Sequence, residues 1–547
     1  MMWLKKPLPA ALLLVILWTG FRLVELKHSG IPKAQVTDEF SYLLGADTFA
    51  HGRLVNPPHP LAAFFESPHI LVRPVYASKY PPGHALFLAL GQRLFGSPFY
   101  GVLMGNALML FCFCLMLYTF APYPWALVVS ALVALLFSPG TFWLNANWDG
   151  MYWTTSYWGG PALVASGAAL VLLGIGIFRN GRSPLGGIVF ALGSLLLFWT
   201  RPYEGGVFTM AVLAVFAADL WRNRRASVVL AALAVFLIGG IWTGYYNWRI
   251  TGSPLQLPYM MHDHQYNVTP VLSFLPLRHE PNYSTPRLAA LHGAHGWEAK
   301  QYHAEKSRAQ VLVAGFKATL QFMLGPLRTA ALISMLFPIA WRDPTYRKMA
   351  IVSGVMVVAL GIETFHFRHY AAPVWASLAV MIAIWASLAW KLRIGKLPIG
   401  AAIVTLTLLI TVWQTPSVWV RDVFRRSHTA SDADQASAPG KGPQVRELRD
   451  RRAELMTQLA SLDRPQLVIV RYPSQDWRVV EEWVYNSSDI DHQHTILAHD
   501  LGADKDRELL NYYPDRTVSL LTFDANSAEA HLQPYPSAQG DSGKPAQ

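Results

Sequence analysis

Charge is what this sequence has least of. Asp, Glu, Lys and Arg make up 14% of its 547 residues, against about 25% in soluble domains. Hydrophobic residues make up 52%, and the mean hydropathy is +0.25. A water-soluble globule of that composition could not hide its apolar surface. Acid is scarcer than base, 34 residues against 45, for a formal net charge of +11. In a soluble chain this excess would suggest nucleic acid, but here the basic residues gather in short turns between apolar runs, where they orient a membrane protein. Nucleic acid is therefore excluded as a partner. Cysteine is nearly missing: Cys112 and Cys114 stand two positions apart in an apolar run, where helical side chains diverge and a mutual disulfide is ruled out. Any external part must hold together without disulfides. A closed zinc pattern such as paired Cys-x-x-Cys is also lacking, as is any internal repeat.

Long apolar runs are what the chain does have. Candidate spans lie at 8–26, 98–120, 124–144, 158–178, 184–200, 204–221, 227–248, 322–341, 347–364, 370–390 and 397–415, about eleven by the ~20-residue criterion. Lys5 and Lys6 before the first run would also suit a signal peptide. The run is nearly long enough to span, however, and Glu25-Leu26-Lys27-His28 offers no small-residue cleavage site, which favours a retained anchor. The same lysines place the N-terminus in the cytoplasm. Strict alternation then puts the four basic turns, at 179–182, 222–225, 342–348 and 391–396, on the cytoplasmic side as well. Segments 27–97, 145–157, 200–205, 249–320 and 363–373 and the tail fall outside.

The fold class expected is a polytopic α-helical membrane protein of about eleven transmembrane helices with a small C-terminal soluble α/β domain. Residues 1–415 form the membrane domain, 416–443 a polar linker, 444–524 the external α/β domain and 525–547 a disordered tail. Thr37-Asp38 before the apolar periodicity of Phe40, Leu43, Leu44, Ala46 and Phe49 predicts a helix that lies along the membrane interface.

Function is expected in the external segments. Asp38 and Glu39 stand side by side just past the first span, and Ser78-Lys79-Tyr80-Pro81-Pro82-Gly83-His84 follows about forty residues later. Further on come Ser156-Tyr157-Trp158-Gly159-Gly160, Thr200-Arg201-Pro202-Tyr203-Glu204-Gly205, Tyr246 to Pro254, and Arg368-His369-Tyr370-Ala371-Ala372-Pro373. With these residues in this order, residues 1–415 resemble the GT-C membrane glycosyltransferases, the superfamily of the protein O-mannosyltransferases and lipid A aminoarabinose transferases, in an uncharacterised bacterial branch. Members carry an acid pair in the first external loop, and many carry a Lys-Pro-Pro-like element before an apolar helix. Here Tyr80 interrupts that element.

The resemblance implies an inverting glycosyltransferase that moves a sugar from a polyprenyl-phosphate donor to an envelope glycan, lipid or protein acceptor on the periplasmic face of a bacterial inner membrane. An acceptor hydroxyl is a poor nucleophile, so a carboxylate should take its proton as it attacks. Asp38 is the expected base, with Glu39 positioning the acceptor. The bland reading makes both first-turn helix acids. The leaving phosphate calls for cations, and Lys79, Arg201 and Arg368 stand at external span ends, where snorkelling to headgroups is the rival reading. Tyr42, Glu204 and His369 are expected to support them. No cofactor is required by this chemistry; a divalent cation, if one takes part, is expected at Asp38 and Glu39. His59, His69, His262 and His264 are read as ordinary solvated loop histidines, and Trp143 to Trp158 as an interfacial belt. A transporter or flippase of lipid-linked saccharides is the alternative, and would place charges mid-span with interrupted helices in matching halves.

Overall fold

The computed structural model describes residues 2–34, 36–136, 152–181, 183–303, 308–324, 327–413, 444–473, 482–524 and 529–536. The expected linker 416–443 and most of the turn 145–157 lie outside them.

Helix α1 (Pro7–Ser29) leads to α2 (Thr37–Ala50), then α3 (Pro82–Phe95), α4 (Phe99–Phe120), α5 (Tyr123–Leu136) and the short α6 (Tyr152–Thr155). A tight group follows: α7 (Pro161–Gly181), α8 (Pro184–Thr200), α9 (Pro202–Arg222) and α10 (Ala226–Thr251). The long external segment holds α11 (Pro258–Tyr266), α12 (Pro286–His292) and α13 (Trp297–His303), before α14 (Arg308–Leu324), α15 (Arg328–Leu336), α16 (Pro344–Gly361), α17 (Val374–Ala389) and α18 (Ile399–Trp413). Five of these, α1, α4, α7, α9 and α10, are long and apolar enough to cross a membrane, and α5, α8, α17 and α18 are shorter apolar helices.

Packing sorts the apolar helices into inner and outer ones. α7 is buried along most of its length and pairs with α8 through glycines: a Cβ at Gly174 would stand 2.5 Å from Phe190 N, and one at Gly193 2.7 Å from Gly167 O. Small residues let the two backbones touch. By contrast, α10 turns Leu230, Leu233, Leu237, Ile238 and Ile241 outward. Among the described residues that stripe has no partner, and hydrocarbon is the solvent it suits.

The four basic turns lie at one end of the bundle. Arg179 reaches Thr345 at 3.4 Å, and Lys348 pairs with Asp219 beside the 222–225 turn. Gly176 makes room for Thr119 at the end of α4, and Trp390 packs 5.2 Å from Trp125 in the first turn of α5. The C-terminal end of α8 and the N-terminal end of α9, where Arg201 stands, are at the opposite end by chain direction. Reporter fusions at Asn223 and Gly440 should therefore read cytoplasm and exterior respectively; both on one side would overturn the orientation.

Three expectations need correction. The span at 322–341 is not one helix: α14 ends at Leu324, α15 runs only to Leu336, and a 3-10 turn takes Ala340–Arg342. Pro338 explains the break after α15, because proline removes a backbone donor and disfavours helix in the residue before it; residues 325–326 lie outside the described ones. Helix α2, expected to lay its apolar face along the membrane interface, packs much of that face against protein. Tyr42, Leu44, Ala46 and Ala50 are buried, and Phe40 stacks on Tyr485 of the C-terminal segment at 4.3 Å. Lastly, the stretch read as a disordered tail contains a strand.

That strand closes the C-terminal sheet. β1 (Ile70–Leu71) and β2 (Ala77–Ser78) form a small antiparallel pair in the first loop, and β3 (Gln466–Val470), β4 (Thr495–His499), β5 (Thr517–Phe523) and β6 (Ala530–Pro534) make a sheet ordered β4-β3-β5-β6. β3 runs parallel to both neighbours, with Gln466 opposite Thr495 and Thr517, and β6 returns antiparallel with Leu521 opposite Leu532. Between β4 and β5 lies α20 (Ala503–Tyr512), and before β3 lies α19 (Gln444–Ala460). All five residues of β3 are buried, as a central parallel strand covered on both faces requires. Val468, Val470 and Leu497 pack on Leu459 of α19 and on Trp483, whereas Leu467, Ile469 and Ile496 pack on Phe64, Phe65, Ile70 and Tyr76 of the first external loop. One face of the sheet thus shares its core with the loop that carries Asp38.

Candidate active site

Adjacent carboxylates on a helix point about 100° apart, and at the start of α2 this gives them different roles. Glu39 turns inward and is 2% exposed. Its Oε1 accepts from Ser156 Oγ at 2.6 Å and Tyr157 N at 2.8 Å, and its Oε2 accepts from Val36 N at 3.0 Å. The carboxylate ties α2 to the Ser-Tyr-Trp-Gly-Gly turn, so the expected acceptor-positioning or metal role for Glu39 gives way to a structural one. That turn needs its glycines: Gly159 and Gly160 have φ of 70° and 57°, and a Cβ would meet His369 at 2.8 Å and His84 at 2.8 Å respectively.

Asp38 remains available, its side chain 20% exposed. The Tyr80 hydroxyl donates to Oδ1, and His69 Nε2 lies 3.6 Å from Oδ2. Tyr80 is the residue that interrupts the Lys-Pro-Pro-like element, and it supplies this bridge. Tyr42 backs it, stacked at 4.2 Å with the planes 10° apart.

Lys79 is buried, its ammonium 5.3 Å from the Tyr80 ring centre and 5.1 Å from that of Tyr259. Burial pulls its pKa below the usual lysine value; Glu298, Asp38 and Asp263 oppose that pull, and Arg201 adds to it. Among the described residues no carboxylate lies within ion-pair distance of this ammonium. A Cβ at Gly83 would stand 2.6 Å from Thr200 Oγ1 and 2.7 Å from Trp199 O. This glycine lets the start of α3 touch the end of α8, which brings Lys79 and Arg201 into one neighbourhood.

Arg201 sits between α8 and α9, 3.5 Å from Glu204 and 3.9 Å above the Tyr370 ring. The i,i+3 pairing foreseen as the bland reading is present, yet the stacked guanidinium faces the same cluster as Tyr42. His369 is buried against Trp158 at 5.0 Å and Tyr370 at 4.8 Å, an orienting role in an aromatic core. Arg368 opens the 3-10 turn Arg368–Ala371; its side chain lies outside the described residues. Trp153 and Trp158 are not a membrane belt: Trp153 stacks on Trp375 at 4.5 Å, and Trp158 is buried. Trp143 and Trp148 lie outside the described residues.

Sequence reasoning missed Glu363. It is buried, and burial, reinforced by Glu204, drives its pKa well above the carboxylate range against the pull of Arg201. An acid closing an apolar run was the available signal. Two histidines read as solvated are not: His69 and His262 are 9% and 1% exposed. His59 is buried too, against Tyr513 and Asp491 of the C-terminal segment. Glu39, expected with Asp38 to hold any cation, spends hydrogen bonds of both its oxygens on Ser156, Tyr157 and Val36.

A cavity of about 310 Å³ opens beside α2, lined by Phe40, Leu43, Asp47, Arg452 and Tyr485 among others. Arg452 stands 4.5 Å over the Phe40 ring, and the buried Tyr485 hydroxyl has no hydrogen-bond partner among the described residues.

No protein-family model and no curated protein matches this chain. Solved structures do. ArnT from Cupriavidus metallidurans in the apo state aligns at a TM-score of 0.47 and 12% identity, over 93% of this chain and 92% of that one. The Archaeoglobus fulgidus oligosaccharyltransferase in complex with Zn and sulfate aligns at 0.49 and 14%, over 94% and 68%. Its apo form aligns at 0.44 and 12% over 86% of this chain, which spans 63% of that longer protein. Both proteins are GT-C glycosyltransferases. The likeness is one of backbone arrangement at TM-scores below 0.5, and what this chain does is a matter for its side chains.

Proposed function

We propose that the chain is an inverting glycosyltransferase that takes a sugar from a polyprenyl-phosphate donor at the outer face of a bacterial inner membrane. The observation that carries this reading is the meeting of one accessible carboxylate, Asp38, with two largely buried cations, Lys79 and Arg201, among the rings of Tyr42, Tyr80, Tyr259 and Tyr370. The acceptor oxygen attacks the anomeric carbon from the side opposite the phosphate. As the new C–O bond forms, the hydroxyl proton passes to Asp38, and the bond to phosphate breaks with its electron pair leaving on polyprenyl phosphate. Lys79 and Arg201 neutralise that developing charge where little water competes. The cavity between α2 and the C-terminal residues Arg452 and Tyr485–Ser487 is the acceptor's approach, with Arg452 and the Tyr485 hydroxyl as polar contacts.

A transporter would need charges along a path through the spans. Arg22 and Glu25 of α1 are such charges, but they pair with each other, and Arg22 also donates to the Thr154 carbonyl at 2.7 Å. They brace α1 against α6, so the transferase reading is preferred. The test supplies purified protein with labelled polyprenyl-phosphate sugars and follows release of the lipid phosphate together with sugar on acceptor. Donor movement across vesicles without bond cleavage would establish the transporter instead.

Lys79 adds a pH test. Its lowered pKa means the ammonium is lost as pH rises through a value below the usual lysine range. Donor KM should therefore climb on the alkaline side, whereas K79R, charged throughout, should lack that limb even if its kcat is reduced. An identical limb in K79R would assign it to another group.

A further inference from the structure

His69 in the first external loop and His262 and His292 in the long one converge outside the proposed transfer pocket. One ring nitrogen of each lies within 4.8 Å of one nitrogen of each of the others, and all three residues are buried. Among the described residues His69 Nδ1, His262 Nδ1 and His292 Nε2 have no hydrogen-bond partner. A buried polar atom left unpaired costs about 1–3 kcal/mol, and one such atom on each of three clustered histidines points to something they would share. His292 has the support a ligating histidine requires: its Nδ1 bonds Glu298 Oε2 at 2.9 Å, which leaves the Nε2 lone pair free. His69 is also held in the left-handed region, φ 67°, a conformation that costs a branched side chain energy and persists where the surroundings impose it. Its carbonyl is fixed by Ser41 Oγ at 2.6 Å and Lys79 N at 3.2 Å.

We propose that His69, His262 and His292 form a three-histidine site for a first-row divalent metal ion, zinc foremost, which clasps the first external loop to the long loop. Imidazole suits zinc, copper and nickel over calcium or magnesium. Ligands at about 2.0–2.1 Å in a tetrahedron stand roughly 3.3–3.4 Å apart, so a closing movement of about 1.5 Å or less completes the set. Asp263 and Glu298 lie close enough to offset part of the ion's charge beside Lys79. A metal on His69 Nδ1 fixes the other tautomer, so that Nε2 carries the hydrogen facing Asp38. This coupling rests on the reading of Asp38 as base, but the metal site does not.

The test is a cobalt(II) titration of the full chain, purified in detergent and stripped with chelator, followed by the visible d–d bands of tetrahedral cobalt and by metal analysis. One cobalt per chain, displaced by zinc, is expected. E298Q, which keeps the chain's packing and removes only the charge behind His292, should weaken binding 10–100-fold, and H262A should weaken it more. Stripped wild-type protein that binds no cobalt, or an H262A/H292A variant that binds it as tightly as wild type, would overturn the site. If H262A fails to fold, the wild-type titration and E298Q still decide. A chain that binds the metal while D38N transfers sugar normally would keep the site and remove only the reading of Asp38 as base.

Discussion

D38N should lower sugar transfer by about 10²-fold or more, the scale of lost general-base assistance, while expression and folding stay intact. The amide matches the carboxylate in size and its oxygen still accepts from the Tyr80 hydroxyl, so the packing of α2 on Tyr80 and Tyr42 survives. It cannot take up the acceptor's proton. Initial rates with purified protein and a labelled lipid-linked donor check this, and donor binding should be nearly unchanged. Normal transfer by D38N would reject Asp38 as the base. E39Q serves as contrast: its defect should be in stability, because Glu39 receives Ser156 Oγ, Tyr157 N and Val36 N and points away from the reaction.

Cutting the chain after Arg426 should abolish transfer and destabilise the first external loop. Treating 444–524 as a tethered accessory predicts the opposite, retained donor binding with poorer acceptor use. The packing decides against independence: Phe64, Phe65, Ile70 and Tyr76 share a core with Leu467, Ile469 and Ile496, and Phe40 of α2 stacks on Tyr485. Arg53 bonds Ser488 at 2.8 Å across the same seam, and the buried pair Arg287–Glu482 at 3.3 Å ties the C-terminal segment to α12 of the long segment as well. Glu482 also accepts from the Tyr472 hydroxyl and from Trp483 N and Val484 N. E482A alone should therefore cost about 3–5 kcal/mol, the usual penalty for breaking a buried pair, seen as a lower unfolding midpoint in detergent. A truncated chain that inserts, binds donor and unfolds at the wild-type temperature would restore the accessory view.

Local pattern carried the secondary structure a long way. Thr37 does open a helix, the run Leu467-Val468-Ile469-Val470 is a buried strand, and the apolar periodicities at 8–26, 98–120 and 227–248 are α1, α4 and α10. These features depend on residues a few positions apart, where steric and solvation preferences act directly. The same locality explains the failures. Reading 322–341 by hydropathy alone passed over Pro338, and the polar composition after 525 concealed β6, whose order comes from pairing with β5.

By itself the sequence determined that this chain belongs among apolar helices, that its chemistry-bearing residues gather at one set of span ends, and that Asp38, Lys79 and Arg201 are worth testing. Only the tertiary structure decided which acid of the pair is free, since two adjacent helical side chains diverge and the turn at Ser156 meets just one of them. It likewise decided that Tyr80, an interruption in the motif, is the bridge to Asp38. The tertiary structure also brought His292 beside His69 and His262, because imidazoles from separate loops meet only when those loops fold against one another, and no spacing along the chain encodes that meeting.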